Sequence, residues 1–279
     1  MGRIILSADD FGLTTGVNRA IIELHQAGVL TSATLMACAG ATDDAIELAH
    51  STPTLDAGCH VVLVDGEPLR KARELPSLVD AGTGRFMPTP GKFFERLLTG
   101  RIHSEEIEAE AGAQIGLLQS KGVALTHIDT HKHVHMFPGV LRPVLRAARA
   151  AGIRGVRNPF EPTWSLRTTP NAPWLRRTGL NLLRLLEPSF RHIVEEEGFT
   201  TTDGAIGVLA TGTLDSATLT SLLENLPAGT WELVTHPGYN DMDLAQAHTR
   251  LRASREIELQ ALSSLGQHPS LDLISFADL

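Results

Sequence analysis

The chain has 279 residues, 42% hydrophobic and 20% charged, and a formal net charge of −8. This is ordinary globular composition, at a length that fits two domains or one α/β barrel. The acidic balance argues against sequence-independent nucleic-acid binding, which needs a basic surface, and no apolar run reaches membrane-spanning length.

Residues 3–8 read as a short buried strand, apolar and β-branched, ending in Asp9-Asp10-Phe11-Gly12. Helical spacing of Val17, Ala20, Ile21 and Leu24 predicts a helix over 16–27, capped by Thr14 or Thr15 and closed by Gly28. The unit recurs as a strand over 32–38, a helix over about 41–51, and a strand over 57–64 that carries His60. A Gly/Pro-rich stretch, 65–100, shows no clear period and reads as an excursion near the site. Residues 104–121 form the next helix, with Ser104 as its cap, Glu105 and Glu106 in its first turn and Gly122 after it. A strand from 123 to about 130 feeds into a histidine-rich run, and a helix over about 139–151 follows. Further strands are expected at 153–157, 205–210, 231–235 and 271–276, with a second excursion at 158–200 and a long amphipathic helix at 243–265. An exposed face on that helix offers a surface for a homodimer.

Strand–helix alternation implies a parallel sheet, and about eight strands suit a closed or partly closed barrel. The expectation is a single α/β domain, 1–279. Asp9, Asp10, His60, His131, Arg157 and His236 all fall within or at the ends of strands, mostly the C-terminal ends, the rim on which barrel active sites are built. Cys38 and Cys59 are the only cysteines, both sit in apolar runs, and neither lies in a CxxC pattern. With a short N-terminal apolar run followed at once by two aspartates, this reads as a soluble cytoplasmic protein.

Four of the twelve histidines, His127, His131, His133 and His135, crowd into residues 127–135 together with Asp129. All five positions are odd, so an extended strand would turn them to one face. Imidazole is the commonest side-chain metal ligand and exchanges protons near neutral pH. At about 3.3 Å per residue, the ends of an extended row lie roughly 26 Å apart, beyond the reach of one ion with bonds of about 2 Å. One or two members at most can ligate, and spacing does not choose among His131, His133 and His135. The adjacent carboxylates Asp9 and Asp10 can divide two tasks, one binding a metal and one facing substrate as a base.

These motifs, Ala8-Asp9-Asp10-Phe11-Gly12, Gly58-Cys59-His60, the run from Thr126 to Pro138, and Thr235-His236-Pro237-Gly238-Tyr239, resemble the YdjC-like carbohydrate deacetylases, a family with chitooligosaccharide and hopanoid-biosynthesis branches. The resemblance implies a distorted (β/α) TIM-like barrel of the polysaccharide-deacetylase type. It implies Asp10, His60 and His131 as ligands of one divalent metal ion, magnesium by family habit with zinc as the other option. It further implies Asp9 as general base, His236 as general acid and Arg157 as the residue orienting the base, with Asp129, His133 and His135 contacting substrate or supporting the ligands. The implied substrate is an acetylated amino sugar, as an oligosaccharide or linked to a lipid.

Arg154, Arg157, Arg167, Arg176, Arg177, Arg184 and Arg191 stand against only Glu161 and Glu187 between 154 and 191, with Trp164 and Trp174 interleaved. This patch reads either as a helix packed on the barrel with solvated arginines, or as a peripheral contact with a membrane or amphiphilic substrate. The alternative functions are a metal-dependent phosphoesterase on a similar barrel and a non-catalytic sugar- or metal-binding protein.

Overall fold

Short apolar strands separated by amphipathic helices leave a chain little choice but a parallel sheet with helices packed over it. The computed structural model, which describes residues 2–266 and 271–279, has this form. The chain runs β1 (Arg3–Phe11), α1 (Thr15–Gln26), β2 (Ser32–Leu35), α2 (Thr42–Ser51), β3 (Asp56–Val61), α3 (Pro90–Leu98) and α4 (Ser104–Ser120). It continues through β4 (Leu125–Thr130), α5 (Pro138–Ala150), β5 (Gly155–Val156), α6 (Thr163–Thr168), α7 (Trp174–Leu183) and α8 (Glu187–Glu196). It closes with β6 (Gly204–Ile206), α9 (Ser216–Glu224), β7 (Thr230–Thr235), α10 (Met242–Gln246), α11 (Ala253–Ser263) and β8 (Asp272–Leu273).

The strand order is β5-β4-β3-β2-β1-β7-β6, with β8 pairing the start of β1, and every ladder is parallel. The two edges approach each other. A bridge joins Gly155 to Thr200, and the Ala205 amide donates to the Phe160 carbonyl at 3.1 Å. The sheet is therefore a curled, partly closed barrel. Its outer face packs Ile4, Leu6, Ile128 and Val156 against buried helix residues such as Ile21, Ile115 and Leu141. Register sets what lies side by side: His60 is paired with Asp129, Gly58 with His127, and Ser7 with Ser32.

Four expectations are corrected. The histidine row is not a strand along its length. β4 ends at Thr130, and residues His131–Met136 wind into a 3₁₀ segment in which Lys132 (φ 61°) and His133 (φ 54°) are left-handed. Alternation thus stops at His131, and the extended-row distance does not describe it. The helix expected over 243–265 is two, broken across 247–252, where His248 turns out of the helical path to meet Asp65 at 2.6 Å. The cap of α4 is His103, with Ser104 already inside the helix. The strands expected at 32–38, 205–210 and 271–276 are shorter, their ladders ending at Leu35, Ile206 and Leu273.

Candidate active site

The site grows from the ends of β1, β3 and β4. Asp10 is the hinge of its first wall. Its φ of 64° breaks the strand alternation, so that Asp9 and Asp10 both come to the barrel mouth, buried to 2% and 3% exposure. Asp10 Oδ1 lies 3.5 Å from His60 Nε2 and 3.3 Å from His131 Nδ1, and the two imidazole nitrogens are 3.2 Å apart. Those mutual separations are the ones expected of atoms sharing an ion at bonds of about 2.0–2.2 Å. Asp10 Oδ1 is buried with no hydrogen-bond partner, a cost that a bound cation removes. The residues present therefore fit a divalent metal.

A layer of polar residues supports this triad. His60 Nδ1 contacts Asp129 Oδ1 at 2.7 Å and Thr34 Oγ1 at 3.0 Å, the carboxylate–histidine arrangement that fixes the orientation of a ligating imidazole. The Thr34 hydroxyl donates to Asp9 Oδ1 at 3.2 Å. Arg157, wholly buried, donates through Nη1 to Asp9 Oδ2 at 2.9 Å, with Oδ1 2.7 Å away, and to Asp129, and through Nε to Glu232 Oε1 at 2.8 Å. His236 Nε2 stands 3.8 Å from Asp9 Oδ2.

These contacts set the charge states. Burial opposes the charge on Asp10, but Arg255, His131 and His60 outweigh it and hold the carboxyl well below its usual range. Burial likewise opposes the charge on Asp129, and Arg157 and His60 outweigh it. Burial lowers the His60 pKa, yet Asp129, Asp9 and Asp10 together push it up to about 10, and a metal on Nε2 would displace that proton. Burial takes His133 and His236 down to about 4. It raises Glu232 and Glu258 to about 7.

The remaining row members separate. His133 stays near the site, with its Nδ1 buried and unpartnered. His135 lies in the core, Nδ1 at 2.8 Å from Thr130 Oγ1 and Nε2 at 3.1 Å from the Arg157 carbonyl, so both ring nitrogens are engaged in holding the strand ends. His127 is deeper still, stacked 3.8 Å from the Phe276 ring.

Sequence reasoning missed the two residues of α11 that brace the site. Arg255 donates through Nη2 to Asp10 Oδ2 and through Nε to the Leu251 carbonyl. Glu258 accepts the His236 amide at 2.7 Å and lies 3.9 Å from His236 Nδ1. They occupy stripe positions of α11 alongside Leu259 and Leu262, and charges on an apolar stripe were the available signal. Glu232, within the apolar run Trp231–Val234, was another.

A cavity of about 1320 Å³ lies among the segments that follow β1, β2 and β3, lined by Thr14, Met36, Val62, Asp65, Arg85 and Asp243 among others, and none of the triad residues lines it. The segment 65–92 supplies much of its wall. Asp65 ties it to Lys132, next to His131, at 3.2 Å.

Comparison with known proteins places this geometry. Residues 3–268 match the family model described as YdjC-like protein. The chain is similar to a carbohydrate deacetylase of Brevibacillus brevis, 43% identical over 52% of this chain and 55% of that protein. It thus spans about half the length of that relative. It is also similar to the carbohydrate deacetylases of mouse, 33% identical over 85% of this chain and 78% of the relative, and of human, 34% identical over 85% and 75%. In fold it resembles an Enterococcus faecalis protein described as a putative cellobiose-phosphate cleavage protein, with TM-score 0.80 and 24% identity over 99% of this chain and 98% of the other. A lactam utilization protein of Thermus thermophilus shares the fold at TM-score 0.53 and 14% identity, over 96% and 97%. The chain belongs to the YdjC-like protein family.

Proposed function

We propose that the protein is a metal-dependent hydrolase that removes the N-acetyl group from an amino sugar. The observation that carries this reading is the Asp10–His60–His131 triad, with Asp9 next to it in the chain but held apart by Arg157 and Thr34. Two carboxylates thus stand at one mouth in two different settings. Three protein ligands leave open positions, and the bound ion would supply an acidified water and polarise the acetyl carbonyl. Asp9 accepts the water's proton, with Arg157 keeping its carboxylate aimed at the mouth. His236 hands a proton to the departing amine, which otherwise leaves poorly. Burial keeps His236 neutral at rest, so it must gain the proton it donates; Asp9, which takes that proton from the water, has its Oδ2 3.8 Å from Nε2, and the two close to hydrogen-bond distance for the transfer. Asp129 orients His60. His133, near the site with an unpartnered nitrogen, contacts the sugar, and His135 holds the Arg157 strand in place.

Magnesium is the ion the family resemblance favours; two imidazoles and one carboxylate also accept zinc. We place the protein in the cytoplasm, a reading supported by its two free cysteines. Among the described residues no helix is long and apolar enough to cross a membrane. In the basic segment 154–191, Arg176 and Arg177 turn inward onto backbone carbonyls of Val208, Thr211 and Thr169, while Arg154 and Arg167 are exposed. α7 and its continuation expose four large apolar side chains, Trp174, Leu175, Leu182 and Leu185, with Thr178 and Asn181 among them. That stripe supports a lipid-linked sugar or a peripheral membrane contact more than an electrostatic one. A homodimer would use the outer side of α11, where Ile257 is exposed.

The test is acetate release from a panel of N-acetylated oligosaccharides and glycolipids, with phosphate release measured in parallel. Acetate release that disappears on chelation supports the reading. Phosphate release, or sugar binding without turnover, supports one of the alternatives.

A further inference from the structure

His60 faces two sets of ligand-type atoms. Its Nε2 meets Asp10 and His131, the set assigned a metal above. Its Nδ1 points the other way, into a second group, Asp9–His60–Asp129, whose atoms also lie within 4.8 Å of one another. The second group has the donor types of a cation site, two carboxylates and an imidazole, and all three residues are buried. A third carboxylate, Glu232, adjoins it, wholly buried and with Oε2 unpartnered.

Arg157 separates the two sets in function. Its Nη1 donates to both Asp9 and Asp129, and its Nε and Nη2 reach Glu232 Oε1 at 2.8 and 2.7 Å. Nη2 also donates to Ser7 Oγ at 3.1 Å. Three carboxylates buried together need a cation among them, because unpaired buried charge is costly. A guanidinium supplies one positive charge and five donors in a fixed plane.

We propose that Arg157 holds the place of a second cation. The barrel mouth is built as two adjoining ligand sets bridged by the His60 ring, and the guanidinium fills the second, so the centre takes one divalent ion. This rests on the metal assignment made above. The consequence for the reaction concerns Asp9. A metal in the second set would claim its lone pairs, whereas a guanidinium whose Nη1 straddles the carboxylate, 2.7 Å from Oδ1 and 2.9 Å from Oδ2, orients it and leaves each oxygen a lone pair with which to accept a proton. Arg157 thereby separates a mononuclear hydrolase with a free base from a multi-metal centre.

The experiment is Mn²⁺ stoichiometry by elemental analysis, with the Mn²⁺ electron paramagnetic resonance line recorded on the same samples, for the full chain and for Arg157→Ser and Arg157→Lys. The expected result is one Mn²⁺ per chain for the unsubstituted protein and for Arg157→Lys. Arg157→Ser is expected to bind two, with its line broadened by a neighbour across the imidazole and its folding dependent on the second equivalent. One Mn²⁺ in Arg157→Ser, or two in the unsubstituted protein, would overturn the proposal. Failure of Arg157→Ser to fold at any Mn²⁺ concentration would also overturn it, since a divalent ion would then not replace the guanidinium. No Mn²⁺ in the unsubstituted protein is a separate outcome, which removes the metal assignment itself.

Discussion

The Arg255 guanidinium binds the Asp10 oxygen that faces away from the imidazoles, Oδ2, and leaves Oδ1 toward His60 and His131. The two oxygens of one carboxylate are thus assigned separate partners, from residues 245 positions apart. Removing the guanidinium frees the carboxylate to rotate. Arg255→Met is expected to weaken metal affinity about 10- to 100-fold, the usual cost of losing a partner that orients a ligand. Calorimetric titration with Mn²⁺ measures it, and an unchanged affinity would show that Asp10 needs no brace.

Asp9 is close to the triad but belongs to the Arg157 and Thr34 network. Asp9→Asn keeps the shape and removes the proton acceptor. Acetate release is expected to fall by about 10²–10⁴-fold, with one metal per chain retained. Turnover at the parental rate would remove Asp9 from the base role.

Glu258 gives a pH signature in the metal-free protein. Burial raises it to about 7, so the folded state keeps a proton that an unfolded chain releases near its ordinary value of 4.5. Such a group contributes its full stability below about pH 4.5, and that contribution is lost as pH rises through about 7. Glu258→Gln has no proton to lose. Its stability relative to the parent is therefore expected to rise between pH 5 and pH 8, by on the order of 2 kcal/mol. Urea unfolding at the two pH values checks the sign, and a constant difference would place Glu258 in a solvated setting.

Gly58 leaves room for the His127 ring: a Cβ there would meet Nε2 at 2.4 Å. Both residues are in the barrel interior, and His127 is stacked on Phe276, so the ring has little freedom to retreat. Gly58→Ala is expected to cost about 1–3 kcal/mol of stability, as overpacking in a filled core does. A melting temperature equal to the parent's would contradict the packing described.

Much of this site was legible because its residues lie where apolar strands end. Asp9, Asp10, His60, Asp129, His131 and Arg157 interrupt or terminate β-branched and apolar runs, and a parallel barrel gathers such ends on one rim. The histidine row was less legible. Its coil depends on left-handed Lys132 and His133, and neither is a glycine or asparagine that would announce such a turn. Arg255 and Glu258 were hidden for another reason: on a helix, charged residues read as solvent-facing until the packing shows which side is covered. The break between α10 and α11 had no proline or glycine to mark it and follows from the long-range contact between His248 and Asp65.

The central claim is that Asp10, His60 and His131 hold one divalent ion with which Asp9 hydrolyses an acetamide. The most direct measurement is metal content and acetate release from an N-acetylated chitooligosaccharide on one sample, before chelation, after it, and after metal is returned. The expected result is one equivalent of metal with acetate release, both lost together and both restored. Undiminished acetate release from the metal-free protein would contradict the claim.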